Sequence, residues 1–415
     1  MIVAFTEEQI SAVLNYDNAR MLLLYLGIGS VLAAVAKGGG AKAFADWARK
    51  KAKSPKMSLI IMWLMDVVLS VDDELSAFTT GTAMTPLADS YGIPREKSAF
   101  MIRASAVAPA TLWPLGAWTV FVAVLLETSG FAESGQGVAE YMKCVPFMFF
   151  PIVIMIIGLL VAIGLIPDFG KMKQAVRRVK DGGSVEPLAS GKEMGDDASV
   201  GSGDITEGMP HRMINFFVPV IVLVGAAALS GLDIMVGIIA SLVVTFFLFV
   251  FQGLCTPKQF INDILIEGFK DMMMLTMLFG VSLVLVNQLD AMGFAPYIVS
   301  ITEHVLSPKL LPFVVFVVFA CTEFLVSFNW SLYMMALPII IPLAAATGAN
   351  PYLTIAALIC AGIWGSQGCL YSDGALVAAA ATKTDAYEAS TTSVQYTIIA
   401  AVISAVLFLG AGFIV

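Results

Sequence analysis

The residues best suited to chemistry in this chain are polar side chains that interrupt long apolar stretches. Asp72, Asp73 and Glu74 interrupt one such stretch, and a polar run that includes Asn329 interrupts another. A charge inside a bilayer is costly, so each of these positions needs a reason. Carboxylates and free carbonyls are hard oxygen ligands that suit Na⁺, and a buried carboxylate can instead take up a proton. These residues therefore predict a site for a small cation.

A second polar group lies near the middle of the apolar stretch 352–382. It contains Gln367 and the Ser372-Asp373-Gly374 sequence. Ser and Asp also cap helix N-termini, so a cap where a helix restarts is a compatible interpretation. We predict that Asp373 joins Asp72 and Asp73 as a candidate Na⁺ ligand, with Gln367 and Ser372 as polar neighbours.

Two lone charges complete the set of candidates from the residues themselves. Arg103 is either a snorkelling side chain near the cytoplasmic face or a fixed countercharge for an acid or a substrate carboxylate. Glu323 is flanked by apolar residues and is a candidate proton carrier. The alternative for all these acids is a solvated vestibule in which they carry no function.

Composition places the chain in the membrane. Of its 415 residues, 59% are hydrophobic and 13% are charged, whereas a soluble domain has about 25% charged residues. The five cysteines show no C-x-x-C spacing and the two histidines are far apart, which argues against a disulfide framework or a histidine metal centre. The sequence shows neither a basic face for nucleic acid nor a phosphate-binding loop, and no paired nucleophile and base that would indicate an enzyme.

The apolar stretches differ in length, and the long ones carry structural information. Two of them, 57–88 and 309–346, are too long for one crossing and too short for two full ones, so we expect each to form a hairpin of two shorter helices. Two others, 97–127 and 352–382, contain clusters of Pro and Gly that predict broken helices. The simpler stretches are 20–38, 144–167, 213–230, 232–252, 263–288 and 393–414.

Lysine and arginine predict the orientation. The basic segments 37–56 and 168–212 are assigned to the cytoplasm, whereas 128–143 and 289–308 carry one such residue at most and are assigned outside. These four loop assignments are consistent with one another only if both long stretches are hairpins. The chain would then have twelve membrane segments with both termini outside.

A short motif recurs on opposite sides of the membrane in this predicted topology. Pro86-Leu87-Ala88-x-x-x-Gly92 returns 256 residues later as Pro342-Leu343-Ala344-x-x-x-Gly348, and at that offset Asp73 aligns with Asn329. We therefore predict an all-α polytopic membrane protein with two inverted five-segment repeats, 1–167 and 263–415. A cytoplasmic linker and two connecting helices, 168–262, would join them. Inverted repeats are typical of secondary transporters, which bind substrate where the repeats meet.

Residues 72–100, DDELSAFTTGTAMTPLADSYGIPREKSAF, resemble the signature region of the NhaC-type Na⁺/H⁺ antiporters in the ion transporter superfamily. Thr82 of this stretch joins the candidate ion-binding residues. The second half of the chain is consistent with this resemblance, since it contains LPIIIPLAAATGAN at 337–350. There are departures: Arg103 follows the motif where the family has an acid, and the polar runs 327–331 and 365–375 lack an acid and several hydroxyls of the family pattern.

The resemblance implies a cation-coupled antiporter of the bacterial inner membrane, working by alternating access with Na⁺ or H⁺ as coupling ion and no other cofactor. The departures favour a small organic acid or amino acid as substrate over plain Na⁺/H⁺ exchange. The expected partners are the lipid bilayer and a small ion or organic solute, and a homodimer stays open. The alternatives are a channel, an intramembrane enzyme, and a transport-inactive scaffold or sensor with a decayed ion site.

Overall fold

The computed structural model describes residues 16–114, 116–187, 212–230, 233–273, 307–327 and 329–415, with isolated positions between 276 and 297. These residues form helices and no strands, which confirms the all-α prediction. The helices are α1 Tyr16–Lys37, α2 Gly40–Lys51, α3 Pro55–Leu69, α4 Asp73–Ser90, α5 Arg95–Ser105, α6 Val107–Ala110, α7 Ala117–Thr128, α8 Gly137–Cys144, α9 Phe149–Ile163, α10 Gly170–Lys180, α11 Ile214–Leu229, α12 Ile234–Phe251, α13 Pro257–Gln259, a π-helix Phe260–Ile266, α14 Glu267–Asp271, α15 Leu311–Val326, α16 Asn329–Thr347, α17 Pro351–Gly368, α18 Asp373–Thr382 and α19 Ala386–Ile414.

Long apolar helices make this a multi-pass membrane protein. Within the described ranges, α12, α19 and the Trp330–Thr347 part of α16 are long and apolar enough to cross a bilayer. The chain at 137–147 joins α9 through a bend of 56°, and the two together have the composition of one bent span. The apolar helices α7, α11 and the Leu311–Leu325 part of α15 are shorter.

Both stretches predicted to be hairpins contain two helices. In the first, α3 ends at Leu69 and α4 begins at Asp73, where the Asp72 side chain caps it, and the two helices pack against each other. In the second, the chain leaves α15 through Ser327, whose φ of 52° is left-handed. Here α15 and α16 both pack against α17.

The two Pro/Gly-rich stretches are broken as predicted. The first consists of α5, α6 and α7, with the break between Ala110 and Ala117. The second consists of α17 and α18, separated by residues 369–372. At the first break the Tyr141 hydroxyl donates to the Thr111 carbonyl (2.7 Å) and the Thr119 hydroxyl donates to the Trp113 carbonyl (2.5 Å). These bonds satisfy carbonyls that the break removes from the helix.

Helices of the first half pack against helices of the second half around both breaks. The hairpin helix α4 packs against α18, where a Cβ on Gly81 would lie 2.5 Å from the Ala381 side chain. The second-half helix α16 packs against α7, where Trp118 stacks on Trp330 with ring centroids 4.6 Å apart. The order of elements is similar in the two halves, and their inverted relation stays a prediction.

Four elements form a separate group that packs around α1. This group consists of α1, α11, α12 and the helical segment from Pro257 to Asp271. The contact between α1 and α14 is close: a Cβ on Gly29 would lie 2.2 Å from the Gly268 carbonyl oxygen. The Ser30 hydroxyl also donates to the Leu265 carbonyl (3.1 Å). Among the described residues, α1 and α11 reach the larger group mainly through α2 and α7.

The first part of the predicted cytoplasmic linker is helical. It contains α10, and the chain is described as far as residue 187, while residues 188–211 lie outside the described part. Ion pairs join residues near 168–178 and at the end of α4 to the three charged residues that open α5. These pairs are Arg95–Asp89 (2.9 Å), Lys97–Asp168 (2.7 Å) and the buried Glu96–Arg178 (2.8 Å).

We expect Gly268→Ala to destabilise the group around α1. The added Cβ would lie 2.5 Å from both the Gly29 carbonyl oxygen and the Ser30 Cα, so the helices must separate. Such overpacking costs about 1–3 kcal/mol. Thermal unfolding of the purified protein in detergent measures the effect.

The matched control is Gly225→Ala on α11, because nothing lies within 4 Å of a Cβ added there. Its melting temperature should equal that of the parent or exceed it slightly. Equal melting temperatures for the two variants would show that the close contact at Gly268 does not limit the stability of the protein.

Candidate functional site

A small polar cavity lies between the tip of the first hairpin and the break between α17 and α18. Its polar lining consists of two carboxylates, a guanidinium, a hydroxyl and an amide. The space open to the centre of a water molecule is about 20 Å³, which is room for one water or one small ion. The polar lining residues are Asp73, Glu74, Arg103, Ser366 and Gln367.

The N-terminus of α4 provides one wall of the cavity. Asp72 caps this helix, and its Oδ1 accepts a hydrogen bond from the Leu75 amide (2.7 Å). Asp73 and Glu74 follow in the first turn, where the partial positive charge of the helix end stabilises carboxylates. The Trp118 indole donates to Asp73 Oδ1 (3.2 Å). Capping thus engages Asp72, whereas Asp73 and Glu74 line the cavity.

Arg103 provides the opposite charge and lies in the interior, with only 3% of its surface exposed. Its guanidinium donates to the carbonyls of Gln367 and Cys369 (3.2 Å for the latter) and to the Ser390 hydroxyl (3.1 Å). Both carbonyls lie where α17 ends, and the end of a helix carries partial negative charge. The structure therefore uses Arg103 as a fixed countercharge to the broken helix and not as a snorkelling residue at the interface.

The Gln367 side chain is the most informative polar group of the cavity. It is 1% exposed, and neither its Oε1 nor its Nε2 has a hydrogen-bond partner among the described residues. A buried amide without partners costs about 1–3 kcal/mol. Since this amide lines the cavity, a bound molecule is the natural source of its missing hydrogen bonds.

The other predicted residues lie in several places. Ser372 caps α18 by accepting from the Ala375 amide (3.2 Å), and its hydroxyl donates to the Ser366 carbonyl (2.5 Å). Asp373 and Asn329 begin α18 and α16, and their side chains lie outside the described part. The described residues that line the cavity include none from the second hairpin.

Two predicted residues lie away from the cavity. Thr82 is exposed, and its hydroxyl donates to the Phe78 carbonyl of its own helix (2.8 Å). Glu323 is buried in α15 but is not part of the cavity lining. The arrangement therefore gives no support to a shared site with Asp73 for either residue.

Sequence reasoning missed the role of Ser390. This serine bonds Arg103 across 287 residues of sequence. A signal was present, because residues 390–393 read Ser-Thr-Thr-Ser near the start of an apolar helix of 29 residues. Trp118 contacts both Asp73 and Trp330 in the structure, so it links the cavity to α16.

Comparison with known proteins identifies the family. A sequence profile described as the Na⁺/H⁺ antiporter family matches residues 111–413, nearly three quarters of the chain. The chain belongs to the Na⁺/H⁺ antiporter family. This confirms the resemblance to NhaC-type antiporters, although the match begins after the 72–100 stretch on which that resemblance rested. Membership supports a cation-coupled transporter, and transporters move their substrates without converting them.

Relatives of this antiporter-family chain extend over its length. An uncharacterised protein of Haemophilus influenzae is 21% identical over 431 aligned positions, covering 96% of this chain and 79% of that protein. The crystal structure of the YdaH transporter of Alcanivorax borkumensis aligns with a TM-score of 0.64 at 12% identity, covering 96% of this chain and 89% of that one. The second likeness establishes a shared fold.

We expect Arg103→Lys to destabilise this antiporter-family protein. A lysine ammonium keeps the charge but cannot reproduce the planar fork that contacts two carbonyls and a hydroxyl. The loss should be about 1–3 kcal/mol, since buried acceptors are left without donors. Unfolding monitored in detergent by intrinsic fluorescence measures it.

Ser390→Ala is the comparison, because it removes one neutral partner and leaves the guanidinium with the carbonyls. Its effect should be smaller, because no buried carbonyl is left without a donor. If Arg103→Lys proves no more harmful than Ser390→Ala, the carbonyl contacts of Arg103 contribute little to stability.

Proposed function

We propose that this protein couples the movement of Na⁺ or H⁺ to transport of a small organic acid or amino acid across the bacterial inner membrane. The observation that carries the proposal is the opposition of charges around the cavity. Two carboxylates, Asp73 and Glu74, line the cavity together with the Arg103 guanidinium and the Gln367 amide.

The two pairs of side chains suit different ligands. Two neighbouring carboxylates, Asp73 and Glu74, attract a cation, and carboxylate oxygens are suitable Na⁺ ligands or proton acceptors. Arg103 and Gln367 combine a fixed positive charge with two amide N–H groups and an amide oxygen, which together recognise a carboxylate or an amino-acid headgroup. A cation and an organic anion bound together would neutralise the cavity.

The division of the helices supports alternating access. The cavity lies within the larger group of helices, whereas α1, α11, α12 and the segment from Pro257 to Asp271 form the smaller group. Contacts between the groups run mainly through α2 and α7. Movement of one group against the other would expose the cavity to each side in turn, as in secondary transporters with a site near the midplane.

Plain Na⁺/H⁺ exchange is the second candidate, and the size of the cavity favours it. About 20 Å³ holds one ion but no organic solute. In the leading proposal the cavity widens when the helix groups move. The two candidates therefore differ in whether an organic solute is needed for ion movement.

Reconstituted vesicles containing a pH-sensitive dye test the proposal. We expect Na⁺-dependent or H⁺-dependent flux that requires one member of a panel of carboxylates and amino acids. Ion exchange without any solute would select the second candidate. The absence of any flux across the panel would contradict both and favour a transport-inactive scaffold or sensor.

Asp73→Asn and Gln367→Leu locate the site in the same assay. Each should reduce flux by about tenfold or more, because one hydrogen bond to a charged group is worth about 1.5–3 kcal/mol. Asp46→Asn is the control, since Asp46 is exposed on α2 and its pair with Arg49 is a surface contact at 3.7 Å. Full activity of both cavity variants would place the site elsewhere.

A further inference from the structure

Asp66 is an acid buried in the larger group of helices, outside the cavity. Asp66 in α3 has no exposed surface. Its Oδ2 lies 2.8 Å from the Ser105 hydroxyl, and its Oδ1 has no hydrogen-bond partner among the described residues. The Thr80 hydroxyl lies close to the carboxyl without making a hydrogen bond of normal geometry. No ion pair to Asp66 forms within the described ranges.

Counting protons around Ser105 indicates the state of this carboxyl. The Ser105 Oγ lies 2.8 Å from Asp66 Oδ2 and 2.6 Å from the Met101 carbonyl oxygen. A hydroxyl has one proton to donate, and a carbonyl has none. If Ser105 donates to Met101, the nearer acceptor, the contact with Asp66 needs a proton on the carboxyl. A neutral Asp66 that donates to Ser105 satisfies both contacts.

The helices around α3 provide no countercharge for an ionised Asp66. The helices α2, α4, α5 and α9 pack against it, and α9 contains no titratable side chain. On α5, Arg103 contacts the end of α17 instead, and Arg95 and Lys97 pair with Asp89 and Asp168. On α4, Asp73 and Glu74 line the cavity, and the charged residues of α2 are exposed. Ser105 and Thr80 are the polar side chains of the described part that face Asp66.

We propose that Asp66 is a proton-binding site, separate from the cation site at Asp73, with Ser105 as its partner. An ionised carboxylate without a countercharge is too costly to bury. The packing of α3 against α5 therefore requires that Asp66 has taken up a proton. When these helices separate toward water, the O–H bond breaks and the proton leaves. This inference rests on the proposed transport function and assigns its proton coupling to one residue.

Infrared spectroscopy tests proton binding without any transport. The parent protein at neutral pH should show a carbonyl stretch of a protonated carboxyl that is absent from Asp66→Asn. Ser105→Ala should keep the band and shift its frequency, because the hydrogen-bond partner is gone. A parent spectrum in which Asp66→Asn removes no such band would overturn the proposal.

Vesicle assays test coupling with two readouts. An asparagine has nearly the shape of a protonated aspartate, so Asp66→Asn should still exchange labelled for unlabelled solute in the absence of gradients. Accumulation of solute driven by a pH gradient should be lost. Asp46→Asn should retain both activities. Accumulation by Asp66→Asn equal to that of the parent would show that Asp66 is only structural.

The two proposals fail in distinguishable ways. If the parent moves no solute or ion, the transport function is wrong, while the infrared band still decides whether Asp66 binds a proton. If Asp66→Asn does not fold, Ser105→Ala replaces it. This variant should shift the pH dependence of accumulation, and an unchanged pH profile together with an unshifted band would overturn the role of the pair.

Discussion

The structure depends on one constraint: a backbone group that loses its helical partner inside a bilayer must find another within the protein. Both broken segments of this chain meet the requirement with side chains. Tyr141 and Thr119 donate to carbonyls at the first break, and Arg103 and Ser372 donate at the second. The donors determine which helices must pack near each break, and so they also determine where the polar cavity forms.

The charged side chains near the cavity lie at helix ends whose partial charge is opposite to their own. Acids lie in the first turn of α4, where the helix end is positive, and a guanidinium lies where α17 ends, where it is negative. Each charge is thereby stabilised by backbone dipoles before any ligand binds. Asp66 lies in the last turn of α3, where the partial charge of the helix end is negative and disfavours an ionised carboxylate. No countercharge from the described residues pairs with it, and for these reasons its burial and its protonation are linked.

The positions of hairpins and breaks could be predicted because they depend on local sequence. Polar residues inside an apolar stretch interrupt a helix wherever the rest of the chain lies, as at Val71-Asp72-Asp73-Glu74, and Pro and Gly do the same at residues 109–116. The partners across the breaks depend on long-range packing. Arg103 is more than 260 residues from the carbonyls that it contacts, and no local pattern links them.

The position of Thr82 outside the cavity has a simpler cause. Thr82 follows Asp73 by nine residues, which is two and a half turns of an α-helix, so the two side chains lie on opposite faces of α4. Ala77, one turn after Asp73, lines the cavity instead. Helical periodicity within the motif predicts that Thr82 faces away from Asp73, whereas motif membership alone made it a candidate.

The contact of Arg103 with the end of α17 also bears on how membrane voltage acts. A bound metal ion at a helix break enters and leaves, so the charge there changes during each cycle. A guanidinium is covalently part of the chain, and the second break is neutralised whether or not a ligand is present. In a transport cycle of the proposed kind, the membrane potential would act on the cation that binds near Asp73 and Glu74 and on the proton at Asp66, and the second break would need no exchanging cation of its own. The number of cations moved per turnover would then be set by the first half of the molecule.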